Sequence, residues 1–121
     1  MNRRTFVTRS ITAASAVAIH PFHILKAKNP NSQINLAFIG AGGKGAHAIR
    51  MLENKAMVNF VAFADVDAVK AAGSFRKHPN VPRFIDFRKM LDRHDKEIDA
   101  VVISTPDHMH HYPAMWCMKM G

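Results

Sequence analysis

Apolar runs alternate with amphipathic stretches from residue 34 to the end of the chain. Three runs carry no charged residue and are rich in β-branched, aromatic or small apolar side chains: Ile34–Ile39, Val58–Ala64 and Ala100–Ser104. Such runs predict strands that are covered on both faces, and Ala100–Ser104 has the clearest character of a buried strand. The shorter run Arg83–Ile85 predicts a fourth strand.

Between these strands the apolar positions recur at helical spacing. The sequence predicts helices over Lys44–Asn54 and Ala68–Phe75, a third that Asp86 caps, and a last one with Pro113 in its first turn. Because strands and helices alternate, the sheet should be parallel with right-handed crossovers. The predicted fold class is α/β, a Rossmann-type doubly wound parallel sheet.

A glycine-rich loop, Gly-Ala-Gly-Gly-Lys-Gly at residues 40–45, lies between the first predicted strand and the first predicted helix. Gly40 allows a tight turn, Gly42 leaves no side chain between backbone and phosphate, and Gly45 lets the helix pack against the strand. The free N–H groups of the first helical turn then face an anion. The loop predicts a dinucleotide site with the candidate residues Gly40, Gly42, Gly43, Lys44 and Gly45.

Asp65 follows the second predicted strand, about 20 positions beyond the glycine loop. A carboxylate at this place can hold the adenosine ribose hydroxyls and would repel the 2′-phosphate of NADP. The predicted cofactor is therefore NAD, with NADP as the alternative. Asp65 could instead cap the helix that follows it, and Asp67 could compete for either role.

Three histidines lie in the segment Thr105–His111, which leaves the carboxyl end of the last predicted strand. Open α/β sheets bind ligands at that end, so we predict a loop that faces the cofactor. We place His110 on the nicotinamide side of the pocket and expect His108 and His111 to be exposed. No metal site is predicted, because consecutive loop positions rarely converge on one ion and no distant Cys or carboxylate cluster completes a ligand set.

The amino-terminal segment contains the pair Arg3-Arg4, then Phe6, and then a modestly apolar run from Ile11 to Ile19. This order resembles a twin-arginine export signal, and Ala16-Val17-Ala18 offers a cleavage site. The run is shorter than the roughly 20 residues that a membrane-spanning helix needs, so no stable span is predicted. The alternative is a disordered basic tail.

A polar stretch that contains Pro30 separates this segment from the first strand. The predicted organisation is a signal segment over residues 1–28, a linker over 29–33 and a nucleotide-binding domain over 34–121. The signal predicts export to the periplasm, with the twin-arginine export machinery as a partner.

The formal net charge of +8 comes largely from the signal segment, where five basic residues occur without an acid: Arg3, Arg4, Arg9, Lys26 and Lys28. The later basic residues are scattered among acidic ones, and this pattern does not favour nucleic-acid binding. The single cysteine, Cys117, cannot form an internal disulfide and is predicted to pack in the core.

Five stretches in order resemble the glucose-fructose oxidoreductase, inositol dehydrogenase and rhizopine-catabolism (Gfo/Idh/MocA) family, in its exported branch. They are the twin-arginine start, Phe38–Gly45, Ala64–Asp67, Asp86–Leu91 and Ser104–His110. The resemblance covers nearly everything from residue 34 to residue 121. It implies hydride transfer between a nicotinamide cofactor and a carbohydrate or cyclitol carbon.

The resemblance also implies a role for each matched residue. Gly40, Gly42 and Gly45 would bind the pyrophosphate, and Asp65 would bind the ribose. The remaining face of the cofactor would contact Ser104, Thr105, Pro106 and His110. None of these is the catalytic acid/base. In the family that role belongs to a lysine in a Glu-Lys-Pro motif on the next strand, and the 121 residues contain no such motif.

We therefore expect a truncated part of a longer enzyme, with a sheet that is incomplete at its C-terminal end and no activity by itself. The strand that ends at Ser104 should have an open apolar edge, which favours self-association or a homo-oligomer. Two alternatives are a stand-alone nucleotide-binding or regulatory module without catalysis and a remnant that does not fold.

Overall fold

A computed structural model describes residues 33–121 of the protein, in which strands and helices alternate. The strands are β1 (Ile34–Ile39), β2 (Val58–Ala64), β3 (Arg83–Phe84) and β4 (Ala100–Ile103). The helices are α1 (Lys44–Leu52), α2 (Ala72–Lys77), α3 (Phe87–His94) and α4 (Asp107–Met120). The predicted signal segment and all but the last residue of the predicted linker lie outside the described residues. Within residues 33–121, no helix combines the length and hydrophobicity needed to cross a bilayer.

The four described strands form one parallel sheet in the order β3-β2-β1-β4. The chain runs outward from β1 through β2 to β3 and then returns to place β4 on the other side of β1. Ile34 pairs with Val58, and after Leu36 the register shifts so that Val61 is an extra residue in β2. The predicted Rossmann-like α/β fold is confirmed. Its strand order reverses between β1 and β4, where such sheets bind ligands.

Helices cover both faces of the sheet at β1, which is why that strand is apolar throughout its buried part. On one face, Leu36 and Phe38 pack against α1 and α2. On the other face, Ala37 and Ile39 pack against α3. Phe38 is fully buried, and burial of a side chain of this size stabilises the fold by roughly 1.5–3 kcal/mol. The central strand thereby holds the loop that follows it in a fixed place.

The start of α3 follows the prediction from the sequence. The Asp86 carboxylate accepts a hydrogen bond from the backbone N–H of Arg88 at 2.9 Å, which caps the helix. The Arg88 guanidinium donates to the same carboxylate at 2.9 Å and lowers the pKa of Asp86. Met90 and Leu91 are buried against the sheet, as the helical spacing predicts.

Helix α2 begins at Ala72, and the prediction that it begins at Ala68 is wrong. Asp67 Oδ1 accepts hydrogen bonds from the N–H groups of Val69 at 3.1 Å and Lys70 at 3.0 Å. These contacts hold residues 68–71 in a turn. Helix α1 ends at Leu52, two residues before its predicted end.

Helix α4 begins at Asp107, so the predicted loop over 105–111 and the predicted helix start at Pro113 are both wrong. Pro106 precedes the helix with an extended backbone (φ −56°, ψ 152°), and Asp107 places a negative charge in the first turn, where the helix dipole favours it. Pro113 lies inside the helix, where it removes one backbone hydrogen bond.

Strand β4 is less buried than the sequence predicts. Ala100 is exposed and Val101–Ile103 are half-buried, because within residues 33–121 β4 pairs with β1 and with no other strand. The expected open edge is therefore present in the described part of the chain. Cys117 on α4 is half-buried against the face that α3 covers, and this burial raises the pKa of its thiol. Elsewhere on α4, on both sides of Cys117 in the sequence, large apolar side chains are exposed: Met109, Tyr112, Met115, Trp116, Met118 and Met120.

Candidate functional site

A cleft of about 800 Å³ opens at the carboxyl ends of β1, β2 and β4. Its lining includes the last residue of each strand: Ile39, Ala64 and Ile103. The segments that follow these strands supply most of the remaining lining, and Ile85 and Phe87 after β3 complete it. Four distant parts of the sequence therefore meet in one place. Eight of the ten candidate residues line the cleft: Gly40, Gly42, Gly43, Lys44, Asp65, Ser104, Thr105 and Pro106.

The glycine loop turns sharply at the end of β1. Gly40 has φ of +92°, a backbone conformation that side-chain-bearing residues rarely adopt. A Cβ at Gly40 would also lie 2.8 Å from the carbonyl oxygen of Ser104. At Gly45 a Cβ would overlap the carbonyl oxygen of Gly40, so the expected close packing of α1 on the turn is present. Gly45 therefore shapes the site although it is not part of the cleft wall.

Four consecutive backbone N–H groups of the loop, those of residues 41–44, fall into two pairs. Ala41 and Gly42 donate to Asp65 Oδ2 at 2.8 and 2.9 Å. The described residues provide no hydrogen-bond acceptor for the N–H groups of Gly43 and Lys44. Both of these residues line the cleft at the start of α1, where the helix dipole is positive. The second pair is therefore available to an anion.

Asp65 is half-buried at the end of β2, and both of its carboxylate oxygens accept hydrogen bonds. Oδ2 accepts from the glycine loop, and Oδ1 accepts from the N–H of Asp67 at 2.9 Å. Asp65 does not cap the turn that follows, because the capping contacts to Val69 and Lys70 belong to Asp67. Helix α2 begins after Ala71 without a side-chain cap, so neither Asp65 nor Asp67 caps it.

The segment between β4 and α4 forms one wall of the cleft, and the segment after β2, which begins with Asp65, lies on the other side of the glycine loop. The N–H of Ser104 donates to the carbonyl of Ile39 at 2.8 Å, which fixes this segment beside the glycine turn. The hydroxyl oxygen of Thr105 is buried and has no hydrogen-bond partner among the described residues. A buried hydroxyl group normally has a partner, so Thr105 fits a ligand with a polar atom at this wall.

His108, His110 and His111 are all exposed, which confirms the prediction for His108 and His111. The contact of His110 with the nicotinamide side stays a prediction. His108 lines the cleft, and His110 is not part of its lining. The physical reason is the early start of α4: successive helical residues are rotated by about 100°, so residues two apart lie on nearly opposite sides. Pro106 followed by Asp107 was the sequence signal for that start.

Several residues that line the cleft were not among the candidates from the sequence, and Lys70 and Phe87 are two of them. The carboxyl ends of parallel strands share one edge of the sheet, so the segments after β2 and β3 could have been included on that ground. Lys70 Nζ lies 3.9 Å from Asp67 Oδ2, and both groups are well exposed, so this ion pair contributes little to stability. Among residues 33–121, no group of three His, Cys, Asp or Glu side chains is placed to hold a metal ion.

Comparison with known proteins identifies the class of this site. The model of the GFO_IDH_MocA family, described as an oxidoreductase family with an NAD-binding Rossmann fold, matches residues 34–121. The chain belongs to this oxidoreductase family, and the matched region is its NAD-binding Rossmann domain.

A solved structure with a similar fold is the WlbA dehydrogenase from Chromobacterium violaceum, determined in complex with NADH and UDP-GlcNAcA. The TM-score is 0.68 and the sequence identity is 19%. The match covers 81% of this chain and 28% of that protein, so the chain spans little more than a quarter of its length. At this identity the likeness shows the fold.

Proposed function

We propose that this chain binds a nicotinamide dinucleotide in the cleft, with the pyrophosphate at the N–H groups of Gly43 and Lys44. The observation that carries the proposal is this pair of amides, which lack acceptors among the described residues and lie at the positive end of α1. The glycines at positions 40, 42 and 45 shape the turn. Asp65 would contact the adenosine ribose, and a bound cofactor would extend along the wall that contains Ser104, Thr105 and Pro106.

The cofactor that we propose is NAD. The Asp65 carboxylate lies at the end of β2, where it would repel the additional phosphate of NADP. Lys70, on the same side of the cleft, reduces this repulsion to some extent because it carries the opposite charge. We therefore expect a preference for NAD and weaker binding of NADP.

The reaction that we propose for the complete enzyme is hydride transfer between the nicotinamide and a carbohydrate or cyclitol. When bound, the nicotinamide supplies the carbon that accepts or donates the hydride. The residues described here bind and orient the cofactor, and the family resemblance assigns none of them the role of the acid/base. Since the 121 residues contain no Glu-Lys-Pro motif, we propose binding without turnover for this chain by itself.

Isothermal titration calorimetry of the full chain with NAD and with NADP tests the proposal. We expect saturable binding of one NAD per chain and a higher Kd for NADP. A chain that unfolds cooperatively on heating and yet binds neither nucleotide would overturn the proposed function. Production of NADH in the presence of polyols would contradict the second part, binding without turnover.

We also propose export by the twin-arginine pathway. The support is that Arg3, Arg4, Phe6 and an apolar run follow one another in the order that such signals have. Replacement of both arginines by lysine keeps the charge and should leave a reporter fusion in the cytoplasm. The matched control replaces Lys26 and Lys28 by arginine, which should leave export unchanged. Equal export of the two variants would contradict the proposal.

A further inference from the structure

We propose that Asp65 is a positioning residue that holds the glycine loop in its binding conformation. Its Oδ2 atom accepts hydrogen bonds from two consecutive loop amides, those of Ala41 at 2.8 Å and Gly42 at 2.9 Å. Asp65 follows these residues by 24 and 23 positions, so the contact joins the loop after β1 to the end of β2. Hydrogen bonds to a charged acceptor are shorter and stronger than those between neutral groups.

Asp65 is held in place by two further hydrogen bonds, one to its carboxylate and one from its backbone. Its other oxygen, Oδ1, accepts from the N–H of Asp67 at 2.9 Å. The backbone N–H of Asp65 donates to the carbonyl of Phe84 in β3 at 2.9 Å. Asp65 thus has a defined orientation before any ligand arrives, which a residue that positions another segment requires.

The loop needs such a contact because of its composition. Three of its first four residues are glycine, which has the largest backbone freedom of all residues and loses most conformational entropy when it is ordered. The amides of Ala41 and Gly42 point inward to Asp65, and those of Gly43 and Lys44 are left for an external anion. Without the carboxylate, the first pair loses its acceptor and the orientation of the second pair is no longer fixed.

Amide hydrogen exchange in the free full chain, followed by NMR, tests the contact without any ligand. We expect Asp65→Ala to reduce the protection of the Ala41 and Gly42 amides by about tenfold or more. The matched control is Asp67→Ala, which should reduce the protection of Val69 and Lys70 and leave the loop amides protected. Unchanged protection of Ala41 and Gly42 in folded Asp65→Ala protein would overturn the proposal.

The conservative variant Asp65→Asn provides a second measurement if the alanine variant does not fold. The carbonyl oxygen of asparagine can still accept from the two loop amides, but its NH₂ group cannot accept from Asp67. We therefore expect loop protection between that of the wild type and that of Asp65→Ala. Protection in Asp65→Asn that is equal to the wild-type value would contradict a contribution from the charge, and complete loss of protection would contradict the contact geometry.

Binding of inorganic pyrophosphate separates positioning from ribose recognition, and this part rests on the proposed function. Removal of a negative charge near an anion site should by itself tighten anion binding. Loss of loop order should weaken it, so we expect the Kd for pyrophosphate to rise at least threefold in Asp65→Ala. An unchanged or lower Kd overturns the positioning role. If the wild-type chain binds neither pyrophosphate nor NAD, the proposed function fails and the amide protection alone decides the role of Asp65.

Discussion

Gly40 and Ser104 lie so close that a single Cβ at Gly40 would be 2.8 Å from the Ser104 carbonyl oxygen. The contact joins the turn after β1 to the end of β4, the two segments that flank the point where the strand order reverses. It thus couples the geometry of the glycine loop to that of the opposite wall of the cleft. Both walls should respond to any change at this contact.

The variant Gly40→Ala should therefore destabilise the chain. Strain at φ of +92° costs about 1–3 kcal/mol, and displacement of the Ser104 carbonyl adds to it. The matched control is Gly73→Ala in α2, where a Cβ would meet no atom within 4 Å and alanine favours the helix by roughly 0.5–1 kcal/mol. Urea denaturation measures both, and equal free energies of unfolding for the two variants would contradict the argument.

The amide of Lys44 can be removed without loss of the helix. Proline is favoured at the first position of a helix, so Lys44→Pro deletes the N–H group where α1 begins, and Lys44→Ala is the control that deletes the same side chain but keeps the amide. If this amide binds the pyrophosphate, the Kd for NAD should be about tenfold higher in Lys44→Pro than in Lys44→Ala. Equal Kd values, measured by calorimetry, would remove the Lys44 amide from the site.

Strands β1 and β2 have the predicted bounds because each is a mostly apolar run without charged residues, which ends at the glycine loop for β1 and at Asp65 for β2. The wrong helix starts have local causes. Asp67 holds a turn where the helical spacing already predicts α2, and Pro106 with Asp107 starts α4 before Pro113. In both cases a short polar side chain or a proline decides where the helix begins, and the spacing of apolar residues does not.

Other features depend on contacts that no local pattern contains. The exposure of β4 follows from its place at the edge of the described sheet, and a strand's neighbours are not visible in its own sequence. The contact between Asp65 and the loop joins residues that are more than 20 positions apart, while the sequence argument considered Asp65 as a ribose contact or a cap. The class of site could be predicted because strand, glycine loop and acid recur in a known spacing.

His108 and His110 can be compared directly, since they lie two residues apart on α4. Both side chains are exposed, but His108 lines the cleft and His110 does not. We expect His108→Ala to raise the Kd for NAD by about two- to tenfold, the range of one hydrogen bond, and His110→Ala to have the smaller effect. A larger effect of His110→Ala would show that the first turn of α4 changes position when the cofactor binds.

Glu53 connects the carboxyl ends of α1 and α2, because Lys77 Nζ lies 2.9 Å from its Oε1 atom and His78 Nε2 lies 3.2 Å from its Oε2 atom. The hydrogen-bonded Lys77 ammonium lowers the pKa of Glu53 below its usual value. A carboxyl group with a lowered pKa stabilises the folded state above its unfolded-state pKa, and this stabilisation is lost as the pH falls through the folded-state pKa. Glu53→Gln should therefore lower the Tm at pH 7, and the difference from the wild type should disappear in acid. Asp92→Asn is the control, since Asp92 forms no ion pair among residues 33–121. If Glu53→Gln lowers the Tm as much at pH 3 as at pH 7, the ion pair of Glu53 with Lys77 is not the cause.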